Sequence, residues 1–269
     1  MLMKPPPMST RTDTEPRLVP AVERAVRLLD ALAVTRQPQS LADLARMLAL
    51  PKSSVHGLLG TLAALGLVRR DDDGAFALGT KPLQWAGAFG AQSDVLRAFE
   101  QQADRVPALQ TETVMLAVLD GADVTYLGCR QGTRPLAVNF RVGGRFPATC
   151  TASGKAILAT LPAERVRTLF AGRSLQRLTR HSVGAVTALQ RQLEEAAALG
   201  YAVDDEETAE GMHCFGAPVF AAHRSEAIAA VAVSVIKAAV PARRRTELIT
   251  AIRAFAARLS AQLGADPAA

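Results

Sequence analysis

The segment that most restricts what this chain can become is residues 41–70, LADLARMLALPKSSVHGLLGTLAALGLVRR. Leu41, Leu44, Ala45 and Leu48 recur at helical spacing and mark one apolar face. Ser40 stands where its hydroxyl can accept from a free first-turn N–H and cap that helix. Ala49 and Leu50 form the turn, and Pro51 takes the first position of a second helix, where a missing N–H costs nothing. Val55, Leu58, Leu59, Leu62 and Leu65 make the buried face of that second helix, and Gly66 ends it. Its other face opens with Lys52, Ser53, Ser54 and His56. These are short or basic groups at a helix end that already presents free N–H groups and partial positive charge to an anion such as a DNA phosphate.

On its own, a helical hairpin is an ordinary packed pair with one solvated face. The next residues sharpen the reading. Val68-Arg69-Arg70, Asp71-Asp72-Asp73-Gly74 and Ala75-Phe76-Ala77-Leu78-Gly79 read as strand, Asp-Gly turn, strand. Two helices across a tight turn followed by a two-stranded ribbon make a winged helix-turn-helix, which binds double-stranded DNA. Ser53, Ser54 and His56 would then approach bases or phosphates and Lys52 a phosphate, with Arg69 and Arg70 on the backbone at the wing.

Charge adds less than its total suggests. The chain has 269 residues and a net charge of +6. Residues 1–80 carry only +2 of it, 81–90 carry +1 and 91–269 carry +3, so the basicity is not gathered in the DNA-binding half. Locally, residues 51–70 contain Lys52, Arg69 and Arg70 and no acid. Aromatic residues make up 4% of the chain, so the cores must be built on Leu, Val, Ile and Ala. Cys129, Cys150 and Cys214 are odd in number and widely spaced, without zinc spacing, which fits a reduced cytoplasmic protein with no metal and no cofactor. MLMKPPPMST lacks an apolar signal core and no apolar run approaches the roughly 20 residues needed to cross a bilayer, so no membrane partner is expected.

The chain order predicts a disordered tail over 1–19, a DNA-binding domain over 20–80, a linker helix over 81–106, a second domain over 107–263 and a short tail over 264–269. Residues 21–34 form an amphipathic first helix with Val22, Val26, Leu29 and Leu32 or Ala33 turned inward. Residues 82–106 read as a long helix interrupted near Gly87 and Gly90. From Glu112 onward strands are expected at 113–119, 124–129, 136–142, 201–203, 215–220 and 227–236, and helices at 152–161, 163–170, 186–199 and 243–263. Hairpins with helices on one face give an α+β fold with a mainly antiparallel sheet.

Two stretches of the second domain carry chemistry. In residues 145–156, RFPATCTASGKA, small residues lead into a helix start, where backbone N–H groups stay free for an anion. Gly154-Lys155 lacks the upstream glycine of a phosphate-binding loop, which excludes nucleotide hydrolysis. The second stretch runs over 200–219. Alone, Asp204 to Glu207 is a solvated acidic turn, and Cys214 is a small buried hydrophobe.

Taken together, VERAVRLL at 22–29, the helix-turn-helix segment and these downstream stretches resemble bacterial transcription regulators of the isocitrate-lyase-regulator (IclR) family, over nearly the whole chain. The resemblance implies a linker helix that helps form a homo-oligomer, either dimer or tetramer. It also implies a GAF-like α/β effector-binding domain with a pocket for a small-molecule effector: an organic acid, or an aromatic or sugar-derived metabolite. Matching motif positions place Ala152, Ser153, Asp204, Cys214 and Ser234 in that pocket. Asp204 would accept from a ligand hydroxyl or amine, or hold the pocket loops in place. The chain departs from the family twice. Ala232 stands where a second serine is common, which favours a more apolar ligand. Gly57 stands where an arginine often follows the histidine; it costs about 1 kcal/mol of helix stability against alanine and removes a contact.

Two other readings compete. A cysteine-dependent small-molecule enzyme is suggested by His213 beside Cys214, but neighbours on a strand point to opposite faces, so His213 is badly placed as the base. A helix-turn-helix that binds protein would leave Arg69 and Arg70 without a purpose.

Overall fold

A computed structural model describes residues 18–35, 37–133 and 140–265. The expected tail over 1–17, the strand over 136–139 and the end at 266–269 lie outside the described residues, and residues 140–142 are not strand. The chain divides into two compact units, 1–89 and 90–269.

In the first unit, α1 (Pro20–Val34), α2 (Leu41–Leu48) and α3 (Lys52–Ala64) are followed by β1 (Val68–Arg70) and β2 (Phe76–Leu78). The Ser40 hydroxyl accepts from Asp43 N at 3.1 Å and caps α2 as its position predicts. Ala49 turns the chain with φ 52°, and Pro51 is the cap of α3 rather than its first helical residue. Leu28, Leu32, Leu44, Leu48, Val55, Leu59, Leu62, Val68 and Phe76 make one buried cluster.

Three expected core positions face out instead. Leu65 is exposed, because α3 stops at Ala64 and Gly66 (φ +74°) then diverts the chain. Val22 and Val26 are exposed, and the buried stripe of α1 is Leu28 and Leu32. The ribbon pairs Val68 with Leu78 and Arg70 with Phe76, closed by a turn in which Asp71 Oδ1 accepts from Ala75 N at 2.7 Å.

The helix α4 (Lys81–Gln92) spans the division between the units and buries none of its side chains; Leu83, Trp85 and Phe89 are all exposed. It is not broken at its glycines. The break falls at Ser93, whose hydroxyl accepts from Leu96 N and starts α5 (Asp94–Gln102).

The second unit is built on a six-stranded antiparallel sheet. Its strands are β3 (Thr113–Asp120), β4 (Asp123–Arg130), β5 (Arg145–Pro147), β6 (Ala202–Asp205), β7 (Met212–Val219) and β8 (Ala229–Ile236), in the order β5-β4-β3-β8-β7-β6. The short edge strand β5 was not expected; its proline sits where a missing N–H is tolerated.

One face of the sheet packs against α5 and α9 (Ala242–Gln262), through Val114, Leu116, Phe215, Val231 and Val233 against Phe99, Leu248, Ile252 and Phe255. The other carries α6 (Ala152–Leu158), α7 (Ala163–Phe170) and α8 (Val186–Leu199). Helices therefore cover both faces, not one. The reason lies in β8: AAVAVSV is buried without alternation, so both of its faces need an apolar cover.

Candidate functional site

At the start of α3, Lys52, Ser53 and His56 are exposed and Ser54 is half-buried, while Val55, Leu59 and Leu62 form the buried side of the helix. Pro51 offers no side chain to cap the helix, and the first turn has no acid. The first-turn N–H groups are thus uncapped by the chain, beside a lysine. At the wing, Arg69 and Arg70 are neighbours on β1 and so face opposite ways. Arg70 is held, with its guanidinium 5.6 Å from the Phe76 ring centre and Nε donating to Gly74 O at 3.4 Å.

In the second unit, pairing register lines up one polar row across four strands. Thr113 of β3 is opposite Ser234 of β8, Ser234 is opposite Cys214 of β7, and Cys214 is opposite Asp204 of β6. Directly opposed residues share a face, and all four are buried. The next row is Met115, Ala232, Gly216 and Ala202, which is apolar. Here α6 presses onto the sheet. A side chain at Gly216 would meet Ala152 backbone at 2.6 Å, and one at Gly154 would meet Ala148 O at 2.3 Å. These bare positions seat Ala152 and Ser153 at the start of α6 over the sheet face that bears the polar row, with Thr151 Oγ1 accepting from Gly154 N at 3.0 Å.

The Ser153 hydroxyl is buried and makes no well-formed hydrogen bond; the polar group that approaches it is the Tyr126 phenol. The pKa of that phenol is pushed far up by burial and by the nearby Cys214 and Asp204. Cys214 Sγ lies 3.0 Å from Ser234 Oγ. Burial, then the Asp204 charge, drive the Cys214 thiol well above its ordinary range, so it is held protonated. Burial also raises Asp204, whose Oδ1 accepts from Glu207 N at 2.7 Å and Thr208 N at 3.1 Å. These two bonds fold the loop after β6 back onto the Asp204 carboxylate.

The five expected effector residues thus lie on one face of the sheet and on the helix start above it. His213 points away from them, its ring 4.6 Å from that of Phe215 and its pKa lowered by burial.

Three buried polar residues of this region were not singled out from the sequence. Lys155 and Glu207 form an ion pair beneath α6, and the acidic turn is solvated only in part. Asp205 and Glu206 each meet Lys237 at 2.7 Å, while Asp204 and Glu207 are buried. Tyr126 reaches the inner face through a β-bulge. Leu116 pairs with Gly128 but Ala117 pairs with Tyr126, so Leu127 is skipped and strict alternation misplaces the tyrosine. Among the described residues, no group of three or more His, Cys, Asp or Glu could hold a metal ion, and no helix is long and apolar enough to cross a membrane.

With this geometry in view, comparison with known proteins is direct. Residues 21–72 match the IclR helix-turn-helix domain and residues 90–261 match the family described as "Bacterial transcriptional regulator IclR C-terminal". The chain is 34% identical to "Probable transcriptional regulator SauR" of Cupriavidus necator, over 80% of this chain and 85% of that protein. It is 30% identical to the transcriptional repressor IclR of Escherichia coli, over 80% of each. Among solved structures, the repressor BlcR of Agobacterium tumefaciens is 36% identical with a TM-score of 0.58, covering 91% of this chain and 97% of its own. The chain belongs to the IclR family: it is a DNA-binding transcriptional regulator with a C-terminal effector-binding domain.

Proposed function

We propose that the regulator reads its operator through the first turn of α3. Ser53, Ser54 and His56 meet bases or phosphates, Lys52 meets a phosphate, and Arg69 and Arg70 hold the backbone beside them. A symmetric dimer sets two such helices in major grooves about 34 Å apart or a multiple of that. Leu83, Trp85 and Phe89 of α4 are the apolar surface that a second copy would cover. The domains are the DNA-binding segment 20–80, the linker 81–106 and the effector domain 107–263.

The effector lies over the polar row, with the helix start at Ala152 and Ser153 above it and Ser234 and Cys214 below. Asp204 keeps the surrounding loop folded. The observation that carries this assignment is the buried Ser153 hydroxyl, which makes no well-formed hydrogen bond and has the Tyr126 phenol beside it. A ligand acceptor or donor would satisfy it, and an unsatisfied buried hydroxyl costs stability. The protein acts by binding and not by turnover. A protonated thiol is a weak nucleophile, and Ser234, Asp204 and Lys155, not a histidine, surround Cys214. Its place is the cytoplasm, where three free thiols stay reduced.

The test is a thermal-shift series with benzoate, succinate and gluconate as probes of the three ligand chemistries. A binder of the folded state raises Tm with concentration. The expected result is a rise with one class, lost in Ser153→Ala and accompanied by altered DNA affinity. A rise of equal size in Ser153→Ala and Ser234→Ala defeats the assignment.

A further inference from the structure

The exposed face of α3 is unusual in what it lacks. At 100° per residue, Ser53, Gly57, Gly60 and Ala64 share the outward midline, flanked by His56 on one side and Thr61 on the other. All six are exposed. Two glycines inside one helix are unfavourable, because each frees the unfolded chain and weakens the helix.

Many other glycines of this protein have an internal reason, though Gly87, Gly90 and Gly184 do not. Gly154 and Gly216 are bare because backbone crowds the space a Cβ would fill. Gly66 and Gly200 are bare because φ is positive. Neither reason holds for Gly57 and Gly60: no atom of the chain lies within 4 Å of a Cβ built on either, and neither has a positive φ. Gly87 shares this open setting, on the α4 helix that buries nothing. The Thr61 hydroxyl donates to Gly57 O at 3.1 Å, tying down the carbonyl that the missing side chain leaves open. Nothing within the fold asks for glycine at either position, and on this exposed face the two leave bare backbone at the surface.

We infer that Gly57 and Gly60 are close-approach positions, where α3 meets duplex DNA through bare backbone at its centre and reads sequence from Ser53, His56 and Thr61 around it. This rests on the reading that α3 is the element that enters the groove. A helix bearing long side chains on its midline is held off the groove floor. This one can sit deeper, which brings the short hydroxyls of Ser53 and Thr61 within reach of base edges.

The experiment uses the full-length protein and a duplex enriched from a randomised pool by the unaltered protein, with an unselected duplex as control. Gly57→Ala and Gly60→Ala each raise Tm by a few degrees, since alanine favours the helix and fits the free protein. Each also weakens binding to the enriched duplex on the order of tenfold, the loss of one good contact, while leaving the unselected duplex nearly unaffected. If Tm rises and affinity for the enriched duplex holds, the glycines are not close-approach positions and the inference falls. Lys52→Ala and His56→Ala separate the two levels. If these weaken binding while the glycine variants do not, only the close-approach inference is lost. If neither set changes binding, α3 does not enter DNA and the underlying reading fails with it.

Discussion

Lys155 Nζ lies 2.5 Å from Glu207 Oε1, and both side chains are almost wholly excluded from water. Gln192 Oε1 accepts from the same ammonium at 3.2 Å. The pair joins the first turns of α6 to the loop that Asp204 folds, so it fixes the helix start against the strand edge beside the proposed effector site. Burial still raises the Glu207 carboxyl, although Lys155 pulls the other way. Removing one partner leaves the other charge buried alone. Lys155→Met or Glu207→Leu should each cost about 3–5 kcal/mol, while the double apolar variant should recover much of that loss. Denaturant unfolding of the four proteins checks this, and additive losses would contradict it.

The three thiols should differ in reactivity. Cys129 is half-exposed, whereas Cys150 and Cys214 are buried. Burial raises all three from their ordinary values. In native protein at neutral pH, Cys129 should label first with a thiol reagent and the other two only after unfolding or local opening. Mass spectrometry of the labelled peptides locates each adduct. Rapid native labelling of Cys214 would contradict the inert thiol described above.

Lys52 stands at the exposed, acid-free start of α3. Lys52→Ala should weaken binding to any duplex and make the slope of log affinity against log salt shallower by about 0.9, the loss of one phosphate contact. Titrations at several salt concentrations read this directly, and an unchanged slope removes Lys52 from the contacts.

Glu206 is held at about 2 against an ordinary 4.5, by Lys237 first and then by the Gly211 N–H. A carboxyl lowered in the fold adds stability above its unfolded value and loses it as pH falls towards the folded one. The native protein should therefore lose stability between about 4.5 and about 2 more steeply than Glu206→Gln. Denaturation midpoints at a series of pH values test this. Parallel curves would mean that Lys237 does not hold the carboxylate in solution.

The regulator's local grammar was legible from residues alone. The Ser40 cap, the turn at Ala49, the hydrophobic spacing of α2 and the Asp-Gly ribbon depend on neighbours a few positions apart, and each appears where periodicity and turn chemistry put it; the apolar row of α3 packs inward except at Leu65. The exposed Val22, Val26 and Leu65 were misassigned because a helix's own pattern says which residues are apolar, not how far along its length another element reaches.

The residues proposed for the effector site were singled out by likeness to a family, and their common face came from pairing between distant segments. The row Thr113, Ser234, Cys214 and Asp204 exists because strands far apart in sequence lie in register. Tyr126 faces inward only because a bulge shifts that register by one residue. The acidic run divided into buried Asp204 and Glu207 and half-solvated Asp205 and Glu206, since burial depends on what packs over a residue. Short-range chemistry set the elements, while long-range pairing and packing decided which of their polar groups left water.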